Sequence, residues 1–147
     1  MLVRPLVFSL ASLLLWQAAA AVEPGDAGTY LLVNTKGEVT PMAMRLSQSA
    51  NQWTMEDRRP DGSWKSVSCG TDCSLRISSA ADIQRFFPVA TLAQITPDCI
   101  HNMAFAFCGY SLKTNATFRG YLFVGLVVNP PVSLRLARVI PDAKPIP

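Results

Sequence analysis

The chain has 147 residues, half of them hydrophobic and 16% charged, and carries a formal net charge of +3. That length supports one domain with a real core. The charge is too weak and too scattered for a nucleic-acid partner, since no like-charge run exceeds the pair Arg58–Arg59.

The amino terminus has three parts: Arg4, an apolar run from Leu6 to Trp16, and small residues Ala18 to Ala21 after Gln17. This is the pattern of a secretory signal, whose apolar core enters the translocon and whose small residues suit the peptidase. Cleavage after Ala20 or Ala21 is expected, so residues 1–21 leave and 22–147 form a single domain in the periplasm or outside the cell. The competing reading is an uncleaved membrane anchor, which Gln17 and the weakly hydrophobic alanines disfavour. The first cysteine is Cys69, so no lipid anchor is expected at the cleavage site.

Thr29 to Asn34 and Glu38 to Leu46 flank Thr35-Lys36-Gly37, a three-residue loop ending in the glycine that a bulged hairpin requires. Pro41 places the second of these strands at a sheet edge. Met42 and Met44 share a face on it. Paired thioethers suit Cu(I), but core filling is the favoured role. A second hairpin joins Gln52–Arg59 to Ser63–Cys69 through Pro60-Asp61-Gly62. Pairing Arg59 with Ser63 sets Asp57 against Lys65 and Arg58 against Trp64, and avoids the like-charge pair Arg58–Lys65. Trp53 and Trp64 then lie on opposite faces. Trp64 is read as the exposed one, beside Arg58.

Cys73 to Ser78 alternates as a half-buried strand. Ser79 and Asp82 form a capping box for a short helix striped by Ile83, Phe86 and Phe87 and stopped by Pro88. Val89 to Thr96 is ambiguous between strand and helical turn. Asn102 to Tyr110, Phe118 to Asn129 and Val132 to Ile140 read as strands, followed by a frayed tail. About eight strands and one helix, without βαβ alternation, predict a mainly β fold. We expect an antiparallel sheet curled into a small barrel or sandwich and stapled by disulfides.

Cys69, Cys73, Cys99 and Cys108 are read as disulfides, given export and an even count. The local pairing, 69 with 73 and 99 with 108, is favoured, and the crossed pairing stays open. A metal site of Cys69, Cys73, Cys99 and His101 matches no zinc spacing, and no metal or cofactor is expected.

His101 is the single histidine and Asp98 its nearest acidic neighbour in sequence. No G-x-S-x-G, H-E-x-x-H or phosphate-cradling loop is present. A catalytic His101 is therefore the weaker reading against a polar residue at a strand end. Glu56, Asp57 and Asp61 sit among Arg58, Arg59 and Lys65 as a solvated hairpin tip. The surface residues expected to meet a protein partner are Trp64, Arg58, Arg59 and Asp61. Asn115-Ala116-Thr117 is an N-glycosylation sequon.

The reading is a non-enzymatic exported binding protein of inhibitor or immunity type. A β-barrel carrier for an apolar ligand and a hydrolase using His101 are the alternatives.

Overall fold

The computed structural model describes residues 22–141, and the expectations placed on 1–21 and on the last residues of the tail lie outside them. Strand β1 (Gly28–Val33) and strand β2 (Val39–Ser49) form the first hairpin, closed by Asn34 and Gly37. The Asn34 amide donates to the Glu38 carbonyl at 2.9 Å, and Gly37 takes the φ of +84° that the bulged turn needs. β2 is not an edge strand, because β3 (Gln52–Arg58) pairs along its other side. Pro41 is tolerated for a local reason. β3 begins pairing only at Met44, and Thr40, Pro41 and Met42 bulge opposite Leu32. The Thr40 hydroxyl donates to the Leu32 carbonyl, which the bulge would otherwise leave without a partner. The same bulge separates the two methionines: Met44 is buried and Met42 exposed.

The second hairpin has the expected register. Asp57 faces Lys65 and Arg58 faces Trp64 on β4 (Trp64–Ser66), while Arg59 and Ser63 close the loop. Gly62 carries the positive φ, +86°.

Beyond β4 the chain crosses to the other end of the sheet. Only Arg76–Ile77 of the expected strand pairs, as β5. Helix α1 (Ala80–Phe86) starts at Ser79, whose side chain accepts from the Asp82 amide while Asp82 accepts from the Ser79 amide. The ambiguous stretch resolves into a helical turn, α2 (Val89–Leu92), and a full strand, β6 (Ile95–His101). That strand escapes a periodicity reading because both its faces are covered, which removes the alternation. β7 (Phe105–Leu112), β8 (Asn115–Gly125) and β9 (Val132–Arg138) follow as the last strands among the described residues.

All nine strands form one antiparallel sheet, in the order β4-β3-β2-β1-β9-β8-β7-β6-β5. Each strand neighbours its sequence neighbour except at one break, between β4 and β5. The sheet is therefore an up-and-down ring opened at a single seam, curled but not closed into a barrel. The curl brings Trp53 and Met55 of β3 into one core with Tyr30, Phe105, Phe107, Tyr121 and Leu136. The segment between β4 and β5 bridges the seam, with Cys69 buried and Val67 and Leu75 packed on that core. On the opposite face of β6, β7 and β8, α1 covers a second core of Phe86, Phe87, Cys99, Cys108, Leu122 and Val124.

Two disulfides staple these layers, with the local pairing: Cys69–Cys73 and Cys99–Cys108. The second joins directly opposed residues of β6 and β7 and lies under Phe86 and Phe87. Bridges of this kind belong to an oxidising compartment. Among the described residues, no helix is long and apolar enough to cross a membrane.

Candidate functional site

The hairpin residues expected to meet a partner stay close together but differ from the expected geometry. Arg58, Arg59 and Asp61 are exposed at the tip. Asp61 accepts from the Ser63 hydroxyl and amide, which holds its carboxyl below its ordinary pKa. Trp64 is half-buried, and the guanidinium over its ring is that of Arg45, 4.6 Å from the centroid, rather than Arg58. Arg45 is itself held by Glu56 at 2.6 Å. A cross-strand stack of Glu56, Arg45 and Trp64 therefore roofs this part of the sheet, and it uses the tryptophan as cover. Register alone shows which residues face each other along β3 and β4. The contribution from β2 needs the third strand.

His101 is placed quite differently. It ends β6, is fully buried, and its ring packs edge-on against Phe86 at 5.2 Å. Its acidic neighbour in space is Asp82 of α1, whose Oδ1 lies 3.8 Å from Nε2. Asp98, its neighbour in sequence, instead binds Arg119. Ser78 Oγ stands 2.7 Å from Nδ1. With the carboxylate on the Nε2 side, the favoured tautomer carries its proton on Nε2 and accepts the Ser78 hydroxyl at Nδ1. Nε2 is then a buried donor without a hydrogen-bond acceptor. Burial first, and then Arg76 and Arg85, lower the His101 pKa, while Asp82 opposes them.

Beside His101 opens a cavity of about 540 Å³. Arg76, directly across from His101 on β5, and Arg85 of α1 form its basic wall. Met103, Leu126, Val128 and Pro131 form its apolar side, and buried Asn102 lies beside His101. Asn102 builds this corner: its Oδ1 accepts from the Ala104 and Phe105 amides, and its Nδ2 donates to the Cys73 carbonyl. Met103 and Val128 of this lining stand exposed at the opening. The sequence signals for this wall were faint, namely the polar position of the 73–78 alternation for Arg76 and a last-turn basic residue for Arg85.

The most buried charges lie elsewhere. Arg119 of β8 bridges Asp98 at 2.6 and 2.9 Å and Asp26 at 2.6 Å, and the Tyr121 hydroxyl also donates to Asp26. Burial alone would raise the Asp26 carboxyl; the hydrogen bonds from Arg119, the Glu23 amide and Tyr121 outweigh it and leave the pKa lowered. The Tyr30 hydroxyl donates to the Asp26 carbonyl, and Arg138 donates to the Gly25 and Ala27 carbonyls. The cluster locks the 3₁₀ turn Pro24–Asp26 onto the sheet.

No protein-family model, curated protein or solved structure matches this chain. Among the described residues, no three His, Cys, Asp or Glu side chains are grouped to hold a metal.

Proposed function

We propose that this chain is a non-enzymatic exported binding protein of inhibitor or immunity type, and that it grips a protein partner at the cavity beside His101. The observation that carries the reading is the exposed apolar collar of Met103 and Val128 at a cavity walled by two arginines. Apolar side chains gathered at one opening, with guanidinium groups at its edge, have the composition of a protein-docking patch. The two disulfides and the single sheet make that patch rigid, which lowers the ordering cost of association. The hairpin residues Arg58, Arg59, Asp61 and Trp64 become a secondary surface in this reading. The two disulfides support export, as does the three-part amino terminus.

A photo-crosslinking residue at Val128, expressed in the native envelope, tests the proposal. One adduct is expected there, and none from the same group at Thr117, at the far end of β8. No adduct at Val128, or equal adducts at both positions, would overturn it. The recovered protein should begin near Val22, and a chain starting at Met1 would overturn export.

A hydrolase is the second reading, supported by the approach of Ser78, His101 and Asp82. The geometry supports it less well. The Asp82 carboxylate is occupied by the Ser79 cap and by Arg85, and Ser78 does not line the cavity. Fluorophosphonate labelling abolished by both Ser78→Ala and His101→Ala would favour the enzyme. The carrier reading gains little, because aromatic side chains fill the curled face and leave about 40 Å³ beside Met55 and Phe105.

A further inference from the structure

The cavity beside His101 has a chemical preference that the docking reading leaves open. Two guanidinium groups, Arg76 and Arg85, face it, and among the described residues Arg76 makes no ion pair. The nearby counter-charge is Asp82, 3.4 Å from Arg85. One positive charge is thus left uncompensated. His101 lies on this wall, and its ring therefore senses a charge placed between the two arginines.

We infer that the cavity is a carboxylate subsite, in which Arg76 and Arg85 pair with an acidic group of the partner beside His101. The inference rests on the docking reading above and names what the partner must present. One excess positive charge and a neutral imidazole match a monoanion better than a phosphate dianion, particularly with Asp82 close by. The apolar collar then takes the side chains that flank the acid. The open edge of the sheet is also here, since β5 ends the strand order and pairs with β6 alone. An extended segment can lie along this edge with its acidic residue on Arg76, as strand-adding peptides do. The carboxylate comes from an Asp or Glu side chain or from a chain terminus.

The single histidine supplies a direct readout, because the imidazole ¹⁵N and ¹H resonances belong to His101 alone. The mature protein would be titrated with four probes. These are a capped hexapeptide with one Glu between valines and leucines, its Gln counterpart, the Gln peptide with a free carboxy terminus, and inorganic phosphate. The Glu peptide is expected to shift the His101 signals, and Arg76→Gln or Arg85→Gln to weaken it about tenfold, the loss of one charge-assisted hydrogen bond. Arg76→Lys should restore part of the affinity, and unchanged amide signals from Tyr30 and Phe107 would show that the variants fold. A stronger response to the free terminus than to the Glu side chain assigns the subsite to a chain end and still supports a carboxylate. Equal binding of the Glu and capped Gln peptides would overturn the inference. Phosphate binding without peptide binding would also overturn it, as would no shift at about 10 mM, where even ~3 kcal/mol of affinity registers.

The Val128 crosslink separates the two failures. If its yield is unchanged in Arg76→Gln and Arg85→Gln, the carboxylate inference fails and docking stands. If the unaltered protein gives no crosslink, docking itself fails.

Discussion

Gly109 of β7 lies directly beneath the guanidinium of Arg119 on β8, so that a Cβ on Gly109 would overlap its Nη2 and Cζ atoms. The contact is backbone against a side chain held by four hydrogen bonds to Asp98 and Asp26, and neither can give way cheaply. Gly109→Ala is therefore expected to push the guanidinium off two carboxylates that are almost fully buried. Breaking such a set costs about 3–5 kcal/mol when all members are buried. Arg119 is one-third exposed, so we expect about 2–4 kcal/mol. Urea denaturation of Gly109→Ala, Arg119→Ala and the double variant would measure it. The double variant should be barely less stable than Arg119→Ala alone, because the alanine at 109 then has nothing to displace. Full additivity would mean that Gly109 serves some other purpose.

Acid should destabilise the protein in two stages. Burial lowers the folded-state pKa of His101 below its ordinary 6.5, so the unfolded chain takes up a proton that the folded chain refuses. Stability is then complete above about pH 6.5 and declines as pH falls toward the folded value, by at most about 1.4 kcal/mol per pH unit for one proton. The Asp26 carboxyl is also lowered, so its contribution is present above about pH 3.9 and is lost as pH falls through its folded value. His101→Gln should flatten the first stage alone, and Asp26→Asn the second. A profile flat between pH 7 and 5 in the native protein would show that His101 is protonated without penalty.

The difference between the hairpins and the cavity explains what could be read in advance. Pro60-Asp61-Gly62 and Thr35-Lys36-Gly37 are local signals, and the pairings of Asp57 with Lys65 and Arg58 with Trp64 follow from loop length. The Ser79–Asp82 cap is equally local. β6 was obscured because Ile100 faces the inner core while Cys99 faces α1, so both alternating sets are apolar. The cavity combines Arg76, Arg85, His101, Asn102 and Val128 from separate elements, and no spacing in the chain records that meeting. Sequence placed His101 beside Asp98; the turn of α1 onto the sheet placed it beside Asp82 instead. The seam was equally hidden, since whether a sheet of antiparallel hairpins closes depends on its curl and on what fills the last gap.

The two disulfides should differ in consequence. Intact mass is expected to rise by about four protons on full reduction, with Cys69 and Cys73 alkylated first because Cys73 is exposed while Cys99 and Cys108 are buried under α1. Replacing Cys99 and Cys108 by alanine removes a bridge closing a short loop, worth about 2–3 kcal/mol, and leaves a void beneath Phe86. Replacing Cys69 and Cys73 removes a bridge closing an even shorter loop and should cost less. Mapping alkylated peptides after graded reduction checks the order. Simultaneous modification of all four cysteines would show that α1 does not shield the second bridge.

Asn102 should be the most sensitive polar residue of the cavity corner, although no motif marks it. Its side chain holds the β6–β7 turn through the Ala104 and Phe105 amides and reaches across to the Cys73 carbonyl in the seam segment. Asn102→Ala leaves two amides without their acceptor in a site that water scarcely reaches, a loss of about 1–3 kcal/mol. Asn102→Asp retains an acceptor for both amides but cannot donate to Cys73, and it adds a carboxylate near Arg76 and Arg85. The aspartate variant should therefore fold better than the alanine variant yet bind an acidic peptide more weakly than the native protein. Thermal melts of both variants, with the Glu-peptide titration on Asn102→Asp, measure the two effects. An aspartate variant that keeps full peptide affinity would place the acidic group away from this corner.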